Sequence, residues 1–132
     1  MEPLVQFLYL SRIAGEKPFE VVAEVAVQAR RNNARVGITG VLVFDGAHVC
    51  QYVEGSLAEI DGLIERLKRD PRHEALQVLH HGPSEGERLF ARWRMGYLLL
   101  DDGQELTRFA ALRGPAAVRA VLDQLPLVDL EP

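Results

Sequence analysis

A chain of 132 residues, 48% of them hydrophobic, is the size of one ordinary domain, large enough for a real core and short for two. Its net charge of -4 arises from acids and bases interleaved as in Glu65-Arg66-Leu67-Lys68-Arg69-Asp70, a pattern that offers no nucleic-acid surface. The lone Cys50 cannot close an internal disulfide, no apolar run approaches a membrane span and Met1-Glu2-Pro3 does not open a signal peptide, so a reducing, cytoplasmic setting away from membranes is expected.

Residues 4–10 are almost uninterruptedly apolar between Pro3 and Ser11-Arg12, and read as a buried strand. Pro18 suits a first helical position, and residues 19–31 run without a breaker, which predicts a helix closed by Asn32-Asn33. Residues 36–44 and 49–53 are β-branched and aromatic, joined through Asp45-Gly46, and form the clearest hairpin. Ser56 and Glu59 match a capping box, and Leu57, Ile60, Ile64 and Leu67 keep helical spacing until Asp70-Pro71 ends the run.

Residues 76–80 and 95–100 read as two further strands around the turn-rich Gly82-Pro83-Ser84-Glu85-Gly86. Asp102 with Glu105 predicts a short helix to Leu112 ended by Gly114, and Pro115 opens another carrying Val118, Val121, Leu122 and Leu125. The order strand, helix, hairpin, helix, strand is that of an α+β ferredoxin-like sandwich with helices on one face of an antiparallel or mixed sheet. A bare apolar face is a liability, so the C-terminal helices are expected to cover the other.

Several polar groups stand in apolar surroundings. Gln51 is the one amide within Val49-Cys50-Gln51-Tyr52-Val53; left unpaired in a core it would cost roughly 1–3 kcal/mol, so it faces either water or a polar partner. Tyr9, between Leu8 and Leu10, poses the same question, and a core tyrosine bonded to backbone is the plain answer. For Asn32 and Asn33 that answer is a C-cap, for Arg66 a solvated helix arginine, and for Trp93 and Met95 core packing.

Taken together, Tyr9-Leu10-Ser11, Asn32-Asn33, Gly37-Ile38-Thr39-Gly40, Gln51 followed by Glu54-Gly55, Asp70-Pro71-Arg72-His73, and Arg88-Leu89-Phe90 before Trp93-Arg94-Met95-Gly96 resemble the BLUF (blue light using flavin) domain over residues 4–100. The resemblance implies a five-stranded sheet with the flavin ring held between the two helices on one face. Residues 1–100 would be the sensor domain and 101–132 its C-terminal helical cap. Tyr9 would be the photoactive tyrosine and Gln51 the switching glutamine, with Trp93 or Met95 approaching the latter from the fifth strand. Asn33 would bind the ring's polar edge. Ser11, Asn32, Arg66, Asp70 and His73 would contact the flavin or its phosphate-bearing side, and Val25 and Leu67 would wall the ring.

Relative to the family pattern, Val49-Cys50 replaces a bulkier apolar pair and Arg94 a frequent serine, both peripheral to the switch. The implied cofactor is FAD, with FMN or riboflavin as alternatives, and the implied function is a light switch rather than an enzyme. The stretch after residue 100 is too short for a cyclase or phosphodiesterase, so the output is expected in a separate downstream protein, with homo-oligomer formation also expected. Two rival readings are a dimerising module that has lost its chromophore and an acylphosphatase-like hydrolase recruiting Arg12 and Gly15. The second is weakened by the lack of a glycine-dense phosphate cradle after the first strand.

Overall fold

The structure is a computed structural model that describes residues 3–84, 86–98 and 105–131. Its elements are β1 (Leu4–Ile13), α1 (Pro18–Val36), β2 (Thr39–Phe44), β3 (His48–Ser56), α2 (Leu57–Arg69), β4 (His73–Pro83), β5 (Trp93–Leu98), α3 (Pro115–Leu122) and β6 (Val128–Leu130). Single 3-10 turns occupy Leu106–Phe109 and Leu125–Leu127. The strands form one mixed sheet in the order β4-β1-β3-β2-β5-β6. Two split β-α-β units interleave to make it: α1 crosses from β1 to β2 over β3, and α2 crosses from β3 to β4 over β1. The ferredoxin-like order read from the sequence therefore stands.

Several boundaries differ from expectation. Helix α1 does not stop at Asn32-Asn33 but runs to Val36, because Gly37 takes the left-handed conformation (φ 75°) that ends it. Gly37 and Ile38 N–H groups both return to the Asn33 carbonyl, so Val36 is helical and β2 begins only at Thr39. Strand β4 extends through Gly82-Pro83, assigned above to a turn; its polar, mostly exposed side chains hid a strand specified by pairing with β1. The Asp45-Gly46 hairpin holds, with Gly46 at φ 98° and Asp45 Oδ1 accepting the N–H groups of Ala47 and His48.

The sheet has six strands rather than five. The sixth, β6, pairs antiparallel with β5 inside a tail that was expected to be wholly helical, and the tail's first helix is only a 3-10 turn. Gly114 caps the start of α3 instead of ending that turn, its N–H bonded to the Leu79 carbonyl at 2.7 Å. Strand β5 starts two residues earlier than expected, at Trp93, while Leu99, Leu100 and the capping role given to Asp102 lie outside the described residues.

Two apolar layers result. Phe7, Ile13, Leu42, Phe44, Val53 and Met95 pack against Val22, Val25, Ile60 and Leu67 of α1 and α2. On the opposite face Leu8, Leu10, Val41, Val43 and Tyr52 pack against Leu106, Phe109, Val118 and Val121 of the tail, which covers that face as expected. Both faces of β1 are therefore buried, which explains its unbroken apolar sequence.

Candidate functional site

In the sheet, Tyr9 on β1 lies opposite Gln51 on β3, and Leu42 on β2 lies opposite both Gln51 and Met95 on β5. Alternation along each strand sends this row of side chains to the side of α1 and α2. Gln51 Nε2 donates to the Tyr9 hydroxyl at 2.7 Å, and Trp93 Nε1 donates to Gln51 Oε1 at 2.8 Å. An indole N–H is only a donor, so it fixes the amide's orientation: oxygen toward Trp93, nitrogen toward Tyr9. Tyr9 is consequently the acceptor in its bond with Gln51, and its own proton is left for another partner. Burial pushes the Tyr9 phenol well above its ordinary value of 10.0, only partly offset by the Gln51 bond, so it stays protonated.

Over this floor lies a cavity of about 120 Å³ between the helices. Val25 and Ala29 of α1 and Leu63 and Leu67 of α2 wall it, while Gln28, Asn32, Arg66, Asp70, Arg72 and His73 line its remainder. Arg72 closes one side, with its guanidinium on the Asp70 carboxylate at 2.8–3.1 Å and on Gln28 Oε1 at 2.7 Å. Burial alone would raise the Asp70 carboxyl, but side-chain and backbone bonds from Arg72 outweigh it and hold Asp70 below the ordinary carboxylate range. The His73 ring lies edge-on to Tyr9, with Nδ1 2.8 Å from Ser11 Oγ and Nε2 without a partner among the described residues. Burial lowers its pKa, so the ring is neutral at pH 7.

The structure thus brings Tyr9, Val25, Asn32, Gln51, Arg66, Leu67, Asp70 and His73 to one cavity and places Ser11 behind His73. Asn33 lines a second cavity, of about 480 Å³, with Trp93, Arg30 and Arg92. Its side chain is 1% exposed, yet neither amide atom meets a partner among the described residues. Met95 is buried in the core and lines neither cavity.

Gln28, Ala29 and Leu63 were not singled out from the sequence, and Arg72 was quoted within a motif without a role at the site. Helical spacing could have found the first three, since Gln28 and Ala29 follow Val25 by three and four residues and Leu63 precedes Leu67 by four. Glu54 was noted only as part of a motif and given no role, although it is fully buried; it accepts the N–H groups of Leu89 and Phe90 at 3.1 and 2.8 Å and the Tyr52 hydroxyl at 2.9 Å. It ties the segment before Trp93 to the strand that carries Gln51.

Fold and site define a small α+β domain with a cavity between two helices, above a buried tyrosine–glutamine–tryptophan chain. The family model described as sensors of blue-light using FAD matches residues 4–96, and the chain belongs to this BLUF family, whose domain is a sensor and not an enzyme. Among curated relatives it is 32% identical over 94 residues to the photoactivated adenylate cyclase subunit beta of Euglena longa, covering 70% of this chain and 11% of that protein. It is 31% identical over 70 residues to the blue light- and temperature-regulated antirepressor BluF of Escherichia coli (strain K12), covering 53% of this chain and 17% of that protein. The chain thus spans only a small part of these relatives.

Among solved structures, BlrB, a BLUF protein in its dark state, aligns with a TM-score of 0.64 at 27% identity over 95% of this chain and 83% of BlrB. The BlsA photo-activated state aligns with a TM-score of 0.80 at 22% identity over 98% and 99% of the two chains, a likeness of fold. No helix among the described residues is long and apolar enough to cross a membrane.

Proposed function

We propose that this chain senses blue light through a flavin held between α1 and α2, and that Tyr9, Gln51 and Trp93 form the switch that records the photon. The observation that carries this reading is the buried hydrogen-bond chain from Trp93 through Gln51 to Tyr9, whose middle member has two chemically unlike ends. The surroundings fit a flat heteroaromatic ring: apolar walls, a polar rim, and buried hydrogen-bonding atoms on Asn33 and His73 that meet no partner among the described residues. The helix cavity alone, about 120 Å³, is small beside the roughly 300–1,000 Å³ of ligand pockets. Holding the ring would therefore require α1 and α2 to part.

When bound, the flavin supplies blue-light absorption and an excited ring able to take an electron. Tyr9 is the phenol on the cavity floor, and losing an electron would make its Oη proton strongly acidic beside the Gln51 amide. Reversal of that amide puts Nε2 against the Trp93 N–H, two donors face to face, so that bond breaks. It also presents Oε1 to Tyr9, which then donates instead of accepting. One rotation therefore rewires both ends of the chain, and the rewired state can outlast the excitation.

FAD is the flavin named in the family description; FMN or riboflavin would present the same ring. The output is passed to an effector, and the relatives' names pair this domain with a cyclase in one case and antirepression in another. The test is a visible absorption spectrum before and after blue illumination. A yellow protein whose flavin band shifts on illumination, with the shift abolished in Gln51→Leu and Tyr9→Phe while the yellow colour persists, is the expected result. Protein that stays colourless with excess FAD sinks the reading, and a normal shift in Gln51→Leu removes Gln51 from its role.

A further inference from the structure

Strand β6 is only three residues long, yet Glu131, at its end, is fastened to both residues that follow Trp93 on β5. Glu131 N–H donates to the Met95 carbonyl at 2.8 Å, and the Arg94 guanidinium donates twice to the Glu131 carbonyl, at 3.0 and 2.9 Å. The Glu131 carboxylate meets Arg30 of α1 at 2.7 Å, and the Arg30 guanidinium lies over the Trp93 ring, 5.6 Å from its centroid. Arg30 therefore touches the indole with one face and the end of β6 with its nitrogen atoms. The indole in turn is held by Gln51 Oε1. Next to these bonds Gly96, which pairs with Leu130, makes room for β6: a Cβ there would clash with Val128 Cγ1 and Leu130 Cδ2.

We propose that Arg30 and Glu131 couple the hydrogen bond between Trp93 and Gln51 to the seating of β6, so that the strand is firmly docked while the indole is held and loosens when it is released. The inference rests on the switch proposed above and identifies which segment of this chain reads it. Arg30 is a positioning residue: an aromatic face and a carboxylate share one guanidinium, and displacing the ring withdraws that guanidinium from Glu131. The ion pair is half exposed, so its share is modest, and the bonds of the Glu131 backbone with the Met95 carbonyl and the Arg94 guanidinium carry most of the seating. Coupling of this kind is reciprocal, so unseating β6 must also alter how firmly Trp93 is held.

Amide hydrogen exchange at Leu130 and Glu131 is the direct readout. In darkness, Trp93→Phe, which keeps a ring but removes the N–H, and Arg30→Met should each speed exchange there about two- to fivefold, with β1 amides unchanged. Rates equal to wild type in both variants overturn the coupling, whether or not the protein carries flavin. In flavin-loaded wild type, blue light should speed exchange over residues 128–131, and Gln51→Leu should remove that response. A spectral shift without the exchange response also overturns the coupling, whereas absence of the shift itself speaks against the switch and leaves the dark comparison to decide the coupling. Gly96→Ala and Glu131→Gln act from the other side: both should change the rate of dark recovery severalfold with the amplitude of the shift kept, and unchanged recovery in both counts against reciprocity.

Discussion

The two faces of the sheet bury polar groups in opposite ways. On the face covered by the C-terminal segment the buried carboxylates are saturated. Glu54 accepts from two backbone N–H groups, the Tyr52 hydroxyl and the Thr39 hydroxyl, and Asp45 accepts from Ala47, His48 and the Leu106 N–H that starts the 3-10 turn. On the face covered by α1 and α2, Asn33 has both amide atoms open and His73 has Nε2 open. A buried polar group with every bond made is a latch for the chain itself, whereas one with bonds unmade marks where something else belongs. Away from the helix face, the open buried atoms among the described residues are His48 Nδ1, which lies 3.4 Å from Asp45 Oδ2, and His80 Nε2, in a cavity of about 460 Å³ beside Val118 and Arg119.

The comparison is sharpest where it predicts stability. Glu54→Leu strips the acceptor from Leu89, Phe90 and Tyr52 at once. With each orphaned group costing about 1–3 kcal/mol, less where water can reach it, a loss of about 2–4 kcal/mol in urea unfolding is expected. Flavin uptake by the folded fraction should survive, since Glu54 lines neither cavity on the helix face. A loss below about 1 kcal/mol would mean that the loop before Trp93 is held by other contacts.

Asn33 should behave in reverse. Replacing an unpaired buried amide by an apolar group of similar shape is close to neutral, so Asn33→Leu should leave the apoprotein within about 0.5 kcal/mol of wild type or slightly more stable. Flavin affinity should nevertheless fall about tenfold, the equivalent of about one lost hydrogen bond, measured by titrating FAD into apoprotein. A destabilised apoprotein with unchanged affinity would make Asn33 a latch like Glu54.

The same contrast explains what the sequence made legible. Elements governed by local chemistry were readable: Ser56 caps α2 by accepting the Glu59 N–H at 3.4 Å, and Asp45-Gly46 turns the hairpin. Elements made by pairing were not. Strand β6 exists because β5 offers it an edge, and β4 extends over polar residues because β1 lies beside it through two register shifts. Helix α1 was cut short at Asn32-Asn33 because asparagine resembles an end signal, while the stop was set four residues beyond Asn33 by a glycine. At the site, Tyr9 and Gln51 were visible as polar residues out of place. That they face each other follows from strand register, and that Trp93 completes the chain follows from a β2–β5 pairing no local pattern contains.

The smallest effect concerns acid. His73 is buried with a pKa below its ordinary 6.5, so between those two values the unfolded chain binds a proton that the folded chain refuses. Stability is then full above about pH 6.5 and declines as the pH falls below it, levelling off only once the folded imidazole also takes up a proton. Asp70 adds to acid sensitivity only further down: its carboxyl is held below the ordinary 3.8, so its contribution persists until the pH falls through that lower range. Thermal unfolding of apoprotein at about pH 7.5 and about pH 5.5 should therefore show a smaller decline in His73→Gln than in wild type. Because His80 is shifted in the same direction, also chiefly by burial, an undiminished decline in His73→Gln would assign the acid response to His80 and to the cavity at the far end of β4. It would also mean that the open nitrogen beside Tyr9 reaches water freely enough to be protonated, which a ligand-facing position on the switch side of the sheet does not permit.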